Sequence, residues 1–500
     1  MKVPIIKRLS SIAGESASTL KNISKKLYVT TRGFNFKHLF VRFFSLNAIE
    51  GKKLLLSGFL FAMLIGSYSV VHELQNIVFS ALVGVKNVPL AKLTTLGLLF
   101  PWIFIDAYLA DRVRRISLLK LYICMWIALG LLLLFVVPFD KMNAESLPFL
   151  TFREKAASWT FFMFSEGYMV FLVSTFWAFV NSINNPKSSE RIYGFIVSCS
   201  KIGGMISVYV AHCIMKGFFD QMLGCTTDIQ KIKLVITYAI TMLFTALITL
   251  LIATKLFKRN VFEGYLGTSI LSEKISKTGI FLGVRLILHN RYVLGIFGLI
   301  FCLELITEFV SFQRIILLVS SSIKLKSTGS INSVSQIASG SYIQILYMHF
   351  VGFLLSIFLT NGVMRTLGTA KALLIMPLIT AVLLGFYIFN AHFIIYAYVI
   401  LHALSYSLNT PIRESLYIIT SRDIQLKSKF VLDAFAIKGA KAITNIFNYF
   451  SSNIATKVGT FLVLLSNDIF ISIACALWIF IAYKMGAKYS TSIKDNRIIT

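Results

Sequence analysis

Five ionisable residues stand inside apolar stretches long enough to span a membrane: Glu166, Lys201, Glu304, Glu308 and Arg314. A charge at the centre of a span costs about 2.5–3.5 kcal/mol on insertion scales, so each is a candidate site residue. Each must face a polar cavity, pair with an opposite charge or be neutralised. Glu304 and Glu308 are four apart and share one helix face. Two like charges there repel unless a proton or a cation intervenes, which admits proton coupling. The plainer alternative is that either acid satisfies a neighbouring arginine. Arg314 falls about one and a half turns after Glu308, off that face. Lys201, in Ser198-Cys199-Ser200-Lys201-Ile202-Gly203-Gly204, is too far from either helix end to snorkel. Its small neighbours let another backbone approach. It meets an anion in a cavity, or it forms a salt bridge with Glu166. Glu166, in Phe164-Ser165-Glu166-Gly167-Tyr168, faces a cavity or forms half of a helix–helix ion pair.

Charges of this kind need a bundle around them. The chain is 57% hydrophobic and only 14% charged. Runs of 18 or more apolar residues recur, each able to cross ~30 Å of hydrocarbon as a helix. The pattern predicts twelve helices, at 54–72, 89–109, 117–138, 157–183, 191–215, 233–254, 292–319, 341–361, 369–389, 391–411, 430–452 and 464–484. The expected fold is an all-α polytopic membrane protein with twelve transmembrane helices in two six-helix halves, major-facilitator-like. The divisions are a basic tail (1–53), a first half (54–254), a central loop (255–291), a second half (292–484) and a C-terminal tail (485–500). Such two-half plans are common among secondary transporters.

The net charge of +28 follows the same plan. Lys and Arg gather in the tails and the even-numbered loops, as in Asp111-Arg112-Val113-Arg114-Arg115 and the 255–291 loop. The positive-inside rule then puts both termini and the central loop in the cytoplasm. Basic charge distributed this way argues against nucleic-acid binding, and no nucleic-acid-binding signature is present. The seven histidines and six cysteines form no metal-ligand or disulfide pattern, and no cofactor is expected. No nucleophile or metal set points to an enzyme. The first 48 residues, with nine Lys/Arg and one acid, read as a cytoplasmic tail or a transit peptide.

Several segments resemble a family. Phe176-Trp177-Ala178-Phe179-Val180-Asn181-Ser182-Ile183, followed by Glu190-Arg191-Ile192-Tyr193, resembles the FWGFANQI…KRFYP stretch of the ATP/ADP translocases. Pro411-Ile412-Arg413-Glu414-Ser415-Leu416-Tyr417-Ile418, then Leu426-Lys427-Ser428-Lys429 and Gly439-Ala440-Lys441, is similar to that family's KEMAYIPL…VKGKAAIDV…GKSGG stretch. Val85 to Lys92 resembles its segment between spans 1 and 2. The resemblance covers spans 1 to 11. It implies a carrier exchanging ATP for ADP or a related nucleotide. The membrane it implies is a bacterial inner membrane, with the plastid inner envelope as the alternative. It places Glu166 and Glu308 at the family's acidic positions and Arg413 and Lys441 at its lysines. One departure stands out. Where the family carries an R-x-T-K-D-like motif, this chain has His72-Glu73-Leu74-Gln75-Asn76, so His72 replaces the arginine and Gln75 the lysine. Lys201, where the family usually has a neutral residue, compensates, or the solute is less anionic. The expected substrate-binding set is Glu166, Lys201, Glu308, Arg314, Arg413, Lys441, Gln75 and Asn181. Its partners are a nucleotide (ATP/ADP) or similar organic anion and the lipid bilayer. The alternatives are a proton-coupled facilitator for another organic anion or metabolite, and a receptor built on a degenerate carrier fold.

Overall fold

Polar residues start several helices, and long apolar runs extend them. The Glu50 carboxylate accepts from the Asn47 backbone N–H at 3.2 Å, at the head of α1 (Ala48–Leu82). Gly84, at φ +101°, turns the chain into a 3-10 turn (Val85–Asn87) and then α2 (Val88–Arg112), which opens with Pro89. After α3 (Arg115–Val136), Thr151 and Glu154 form a capping box, with Thr151 N donating to Glu154 Oε2 at 2.8 Å. That box begins α4 (Phe152–Tyr168), which continues through a π turn (Met169–Val173) into α5 (Ser174–Ile183). Next come α6 (Pro186–Lys216) and α7 (Asp228–Leu256), the latter started by a second box, Thr227 with Gln230.

The second half holds α8 (Arg291–Lys326), α9 (Val334–Phe358), α10 (Ile375–Phe389), α11 (Phe393–Leu404), α12 (Lys429–Val458) and α13 (Thr460–Lys494). A second π turn, Ser405–Asn409, follows α11. The structure is a computed structural model and describes residues 47–143, 149–184, 186–225, 227–257, 290–326, 334–358, 367–409, 412–413, 416, 420, 429–458 and 460–495. The N-terminal tail up to residue 46, the loop residues 258–289 and most of the 411–428 stretch lie outside the described residues.

Among the described residues, nine helices are long and apolar enough to cross a membrane, and Phe393–Asn409 is a shorter apolar one. With α2 and α12 these fill the twelve expected places. Most helices run beyond the expected ends, because polar and charged residues near a span's ends do not stop a helix. The largest correction is α1. The expected end at 72 is overrun to Leu82, so Glu73, Gln75 and Asn76 lie within the helix rather than after it.

The halves are built by close helix contact. Gly58, Ala62 and Gly66 on α1 face Cys199, Gly203 and Ser207 on α6, each set at four-residue steps. A Cβ on Gly203 would sit 2.6 Å from the Ala62 backbone, so only glycine admits this approach. Buried hydroxyl and indole groups find backbone partners: Tyr168 donates to Leu64 O at 3.0 Å, and Trp126 Nε1 to Phe164 O at 3.1 Å. Outward faces stay apolar, as at Leu132, Phe135, Ile206 and Phe480.

The chain rises and falls between two ends. At the near end α1 starts and α13 finishes. Lys53 Nζ there bonds Ile183 O, and Lys488 lies over the Tyr292 ring. At the far end α1 hands over to α2.

Candidate functional site

Among the described residues, the most buried ion pair joins the halves. Glu73 on α1 is 4% exposed and Arg314 on α8 is 2% exposed. The guanidinium engages both carboxylate oxygens, at 3.3 Å (Nη1–Oε1) and 2.9 Å (Nη2–Oε2). This two-pronged geometry suits arginine and is beyond lysine. Ser341 and Gln344 on α9 complete the shell: Arg314 bonds the Ser341 hydroxyl and Gln344 Oε1, and the Ser341 hydroxyl contacts Glu73 Oε2. Tyr398 on α11 donates to Glu73 Oε1 at 3.4 Å and stacks its ring 4.1 Å from the guanidinium carbon. Every partner a buried pair needs is therefore supplied.

A second charge network adjoins it. Lys92 on α2 donates to Glu308 Oε1 on α8 at 2.7 Å. Asn445 on α12 donates to the same oxygen at 3.1 Å. Lys441, one turn earlier on α12, stands 3.9 Å from Glu304 Oε2. Lys438 lies within electrostatic reach of Glu166, Glu304 and Glu308. On the first half, Gln75 Nε2 donates to Glu166 Oε1 at 2.9 Å, and His72 Nδ1 is 3.9 Å from that oxygen. His72 in turn is within electrostatic reach of Glu73, Lys92 and Lys441.

Five of the eight expected site residues thus fall into these adjoining networks: Gln75, Glu166, Glu308, Arg314 and Lys441. Lys201 lies on α6, within electrostatic reach of His349 on α9. The expected alternative of a Glu166–Lys201 salt bridge is corrected, because Glu166 is engaged by Gln75 and His72. The cations beside Glu304 and Glu308 are lysines. The arginine of this region serves Glu73 instead, since its position off the Glu304–Glu308 face turns it toward α1. Arg413 is partly buried beyond the π turn. Asn181 lies in α5, and its side chain is outside the described residues.

Sequence reasoning missed Glu73, Lys92, Lys438, Asn445 and Tyr398. Glu73 sat one residue past the expected end of its span, and Lys92 lay near the start of the expected second span, in a segment that the family resemblance placed between spans. Both are acid or base residues beside an apolar run, and that was the available signal.

The other inter-half bonds are neutral or involve single charges. Ser69 on α1 meets His349 Nε2 at 3.1 Å, and Tyr342 on α9 donates to Val70 O at 3.0 Å. His212 Nδ1 on α6 is 2.9 Å from the Ser339 hydroxyl. Ser335 at the head of α9 donates to Asp228 at the head of α7 at 2.8 Å. An apolar group joins Phe79, Val88, Ala91 and Phe162 of the first half to Phe312 and Ile315 of the second. Among the described residues these contacts run from mid-helix, at Ser69 and His349, to the far-end heads of α7 and α9. The near-end bonds of Lys53, Arg115 and Tyr292 each stay within one half.

No family model and no curated protein matches the chain. Solved structures match its fold. A bacterial homologue of the iron transporter ferroportin, in an inward-facing state, aligns with TM-score 0.58 at 13% identity, covering 88% of this chain and 99% of that one. A D-xylose–proton symporter gives 0.55 at 12%, covering 87% and 96%. A POT family transporter in complex with 5-aminolevulinic acid gives 0.55 at 12%, covering 86% and 96%. The fold is major-facilitator-like. The chain is a multi-pass membrane protein of two six-helix halves, and the charge networks lie where those halves meet.

Proposed function

We propose that this chain is a carrier that moves an anionic solute by alternating access, the solute being a nucleotide such as ATP or ADP. The observation that supports it best is the pairing of acids and bases across the two halves, in Glu73–Arg314 and Lys92–Glu308. A buried inter-half ion pair is a poor way to gain stability, since apolar packing serves as well or better. It is a good way to hold one arrangement and give it up when a competing charge arrives. An anion entering between the halves competes with Glu308 for Lys92 and with Glu304 for Lys441. Without an anion, separating those pairs leaves buried charge unmatched, which is costly. That cost favours strict exchange of one anion for another. The nucleotide itself rests on the resemblance of the Phe176–Ile183 and Gly439–Lys441 segments to ATP/ADP translocases. The contacts at the far end fit a state shut on that side, which the charge bias of the loops makes the side away from the cytoplasm. The membrane is then a bacterial inner membrane with both termini in the cytoplasm.

Uptake of radiolabelled ATP and ADP into cells expressing the chain, with and without internal nucleotide, tests this. Uptake accelerated by internal nucleotide is the expected result. Absence of nucleotide uptake under both conditions refutes the nucleotide reading. A second reading, a proton-coupled facilitator for another organic anion, is favoured by the three carboxylates of the network, Glu166, Glu304 and Glu308. It predicts uptake that follows an imposed pH gradient and ignores internal solute.

A further inference from the structure

Five buried amide side chains carry polar atoms that no described residue satisfies, and three of them, Gln75, Asn445 and Asn448, are almost wholly enclosed beside the charge network, unlike Asn76 and Asn184. Gln75 and Asn448 are 0% exposed and Asn445 is 1% exposed. Gln75 Oε1, Asn445 Oδ1 and both amide atoms of Asn448 lack a hydrogen-bond partner among the described residues. Leaving a buried polar atom unsatisfied is costly, and a bilayer interior offers no relief.

The orientation of two amides is fixed by chemistry. Gln75 turns its NH2 to Glu166, and Asn445 turns its NH2 to Glu308 and to the Lys441 carbonyl. An ionised carboxylate and a carbonyl oxygen only accept, so the nitrogen must face them and the amide oxygen must face away. The acids therefore hold two acceptor oxygens out toward a donor. One belongs to α1 of the first half and the other to α12 of the second. Asn448 is three residues beyond Asn445 and seven beyond Lys441, on the same helix face. Lys92 shares the Glu308 oxygen with Asn445, so a cation stands directly beside this amide row.

We propose that Gln75, Asn445 and Asn448 form a subsite for the neutral polar part of the solute, a moiety carrying hydroxyl or amino hydrogens, while Lys92 and Lys441 meet its anionic part. The proposal rests on the anion-carrier reading and adds to it the chemistry that selects among anions. A bare polyphosphate offers only acceptors and sets oxygen against the Gln75 and Asn445 oxygens. A nucleotide offers sugar hydroxyls and, in adenine, an amino group. Such a moiety donates to both halves at once, which links recognition to the relative position of the halves. Sites built to hydrogen-bond a donor reject analogues lacking it far more strongly than apolar pockets reject a size difference.

The test uses the purified full-length protein with two probes, ATP and inorganic tripolyphosphate, and measures the affinity of each. The wild type is expected to bind ATP at least about tenfold more tightly than tripolyphosphate, the worth of one or two hydrogen bonds. Asn448→Leu, which keeps side-chain volume and leaves the Glu308 bonds of Lys92 and Asn445 in place, is expected to weaken ATP about tenfold and leave tripolyphosphate unchanged. A merely structural role would move both probes together. Equal binding of the two probes to the wild type overturns the subsite while leaving the anion carrier standing, and it needs no variant to fold. Binding of neither probe overturns the nucleotide-carrier reading and the subsite with it.

Discussion

The Glu73–Arg314 pair makes the sharpest prediction at the residue scale. Arg314→Ala leaves an ionised Glu73 buried without its counter-charge, a change that costs about 3–5 kcal/mol in comparable sites. Pairing that change with Glu73→Leu removes the stranded charge and should recover most of the loss. Thermal unfolding of the detergent-purified wild type and these two variants checks this; a double variant as unstable as Arg314→Ala would show that the pair itself is not the cause. The sequence displayed Arg314 as stranded but did not display its partner. A lone arginine in an apolar run states a need, while the acid that meets it lies 241 residues away on another helix. The same gap explains Lys92, which falls in the first turn of an expected span and which the fold assigns to Glu308. Glu166 and Glu308 were legible because each interrupts an apolar run far from its ends. Asn445 and Asn448 were not, because an uncharged amide scarcely disturbs hydropathy.

Elements were more legible than contacts, since twenty apolar residues force a helix whatever surrounds them. What hydropathy could not show is where a helix departs from α geometry. Both π turns fall in equivalent spans, the fourth and the tenth: Met169–Val173 three residues after Glu166, and Ser405–Asn409 three residues after His402. Such turns recur at functional sites, and here each follows a helix that carries part of the charge network. The α1–α6 contact shows how a short motif acquires its reason only from the fold. Gly203 was read as a residue that lets a backbone approach, and the backbone is Ala62. Gly203→Val should force α1 and α6 apart and cost about 1–3 kcal/mol, as overpacking does elsewhere. Gly340→Ala, where a Cβ would meet nothing within 4 Å, should be silent by comparison. Melting temperatures of the two variants decide between a required glycine and an incidental one.

At the scale of the molecule, the contacts between the halves among the described residues run from mid-helix to the far end, which bears on motion as well as shape. If the halves rock about the solute, the far-end contacts must part once in every cycle. The Asp228–Ser335 bond, at the heads of α7 and α9, is the most peripheral of them and lies outside the charge network. It is therefore the place to arrest the motion without touching the site. The six native cysteines, all unbridged, would first be replaced by alanine. Asp228→Cys and Ser335→Cys together, treated with a short thiol-specific cross-linker, should then abolish solute exchange. Reducing a cleavable linker should restore it, and either cysteine alone should tolerate the reagent. Binding of solute from the near side should survive the cross-link, because the lock holds the halves in the arrangement described here. That dissociation of binding from exchange is what rocking requires. Full exchange by the cross-linked protein would mean that the far end never opens, and that solute passes by some route other than between the halves.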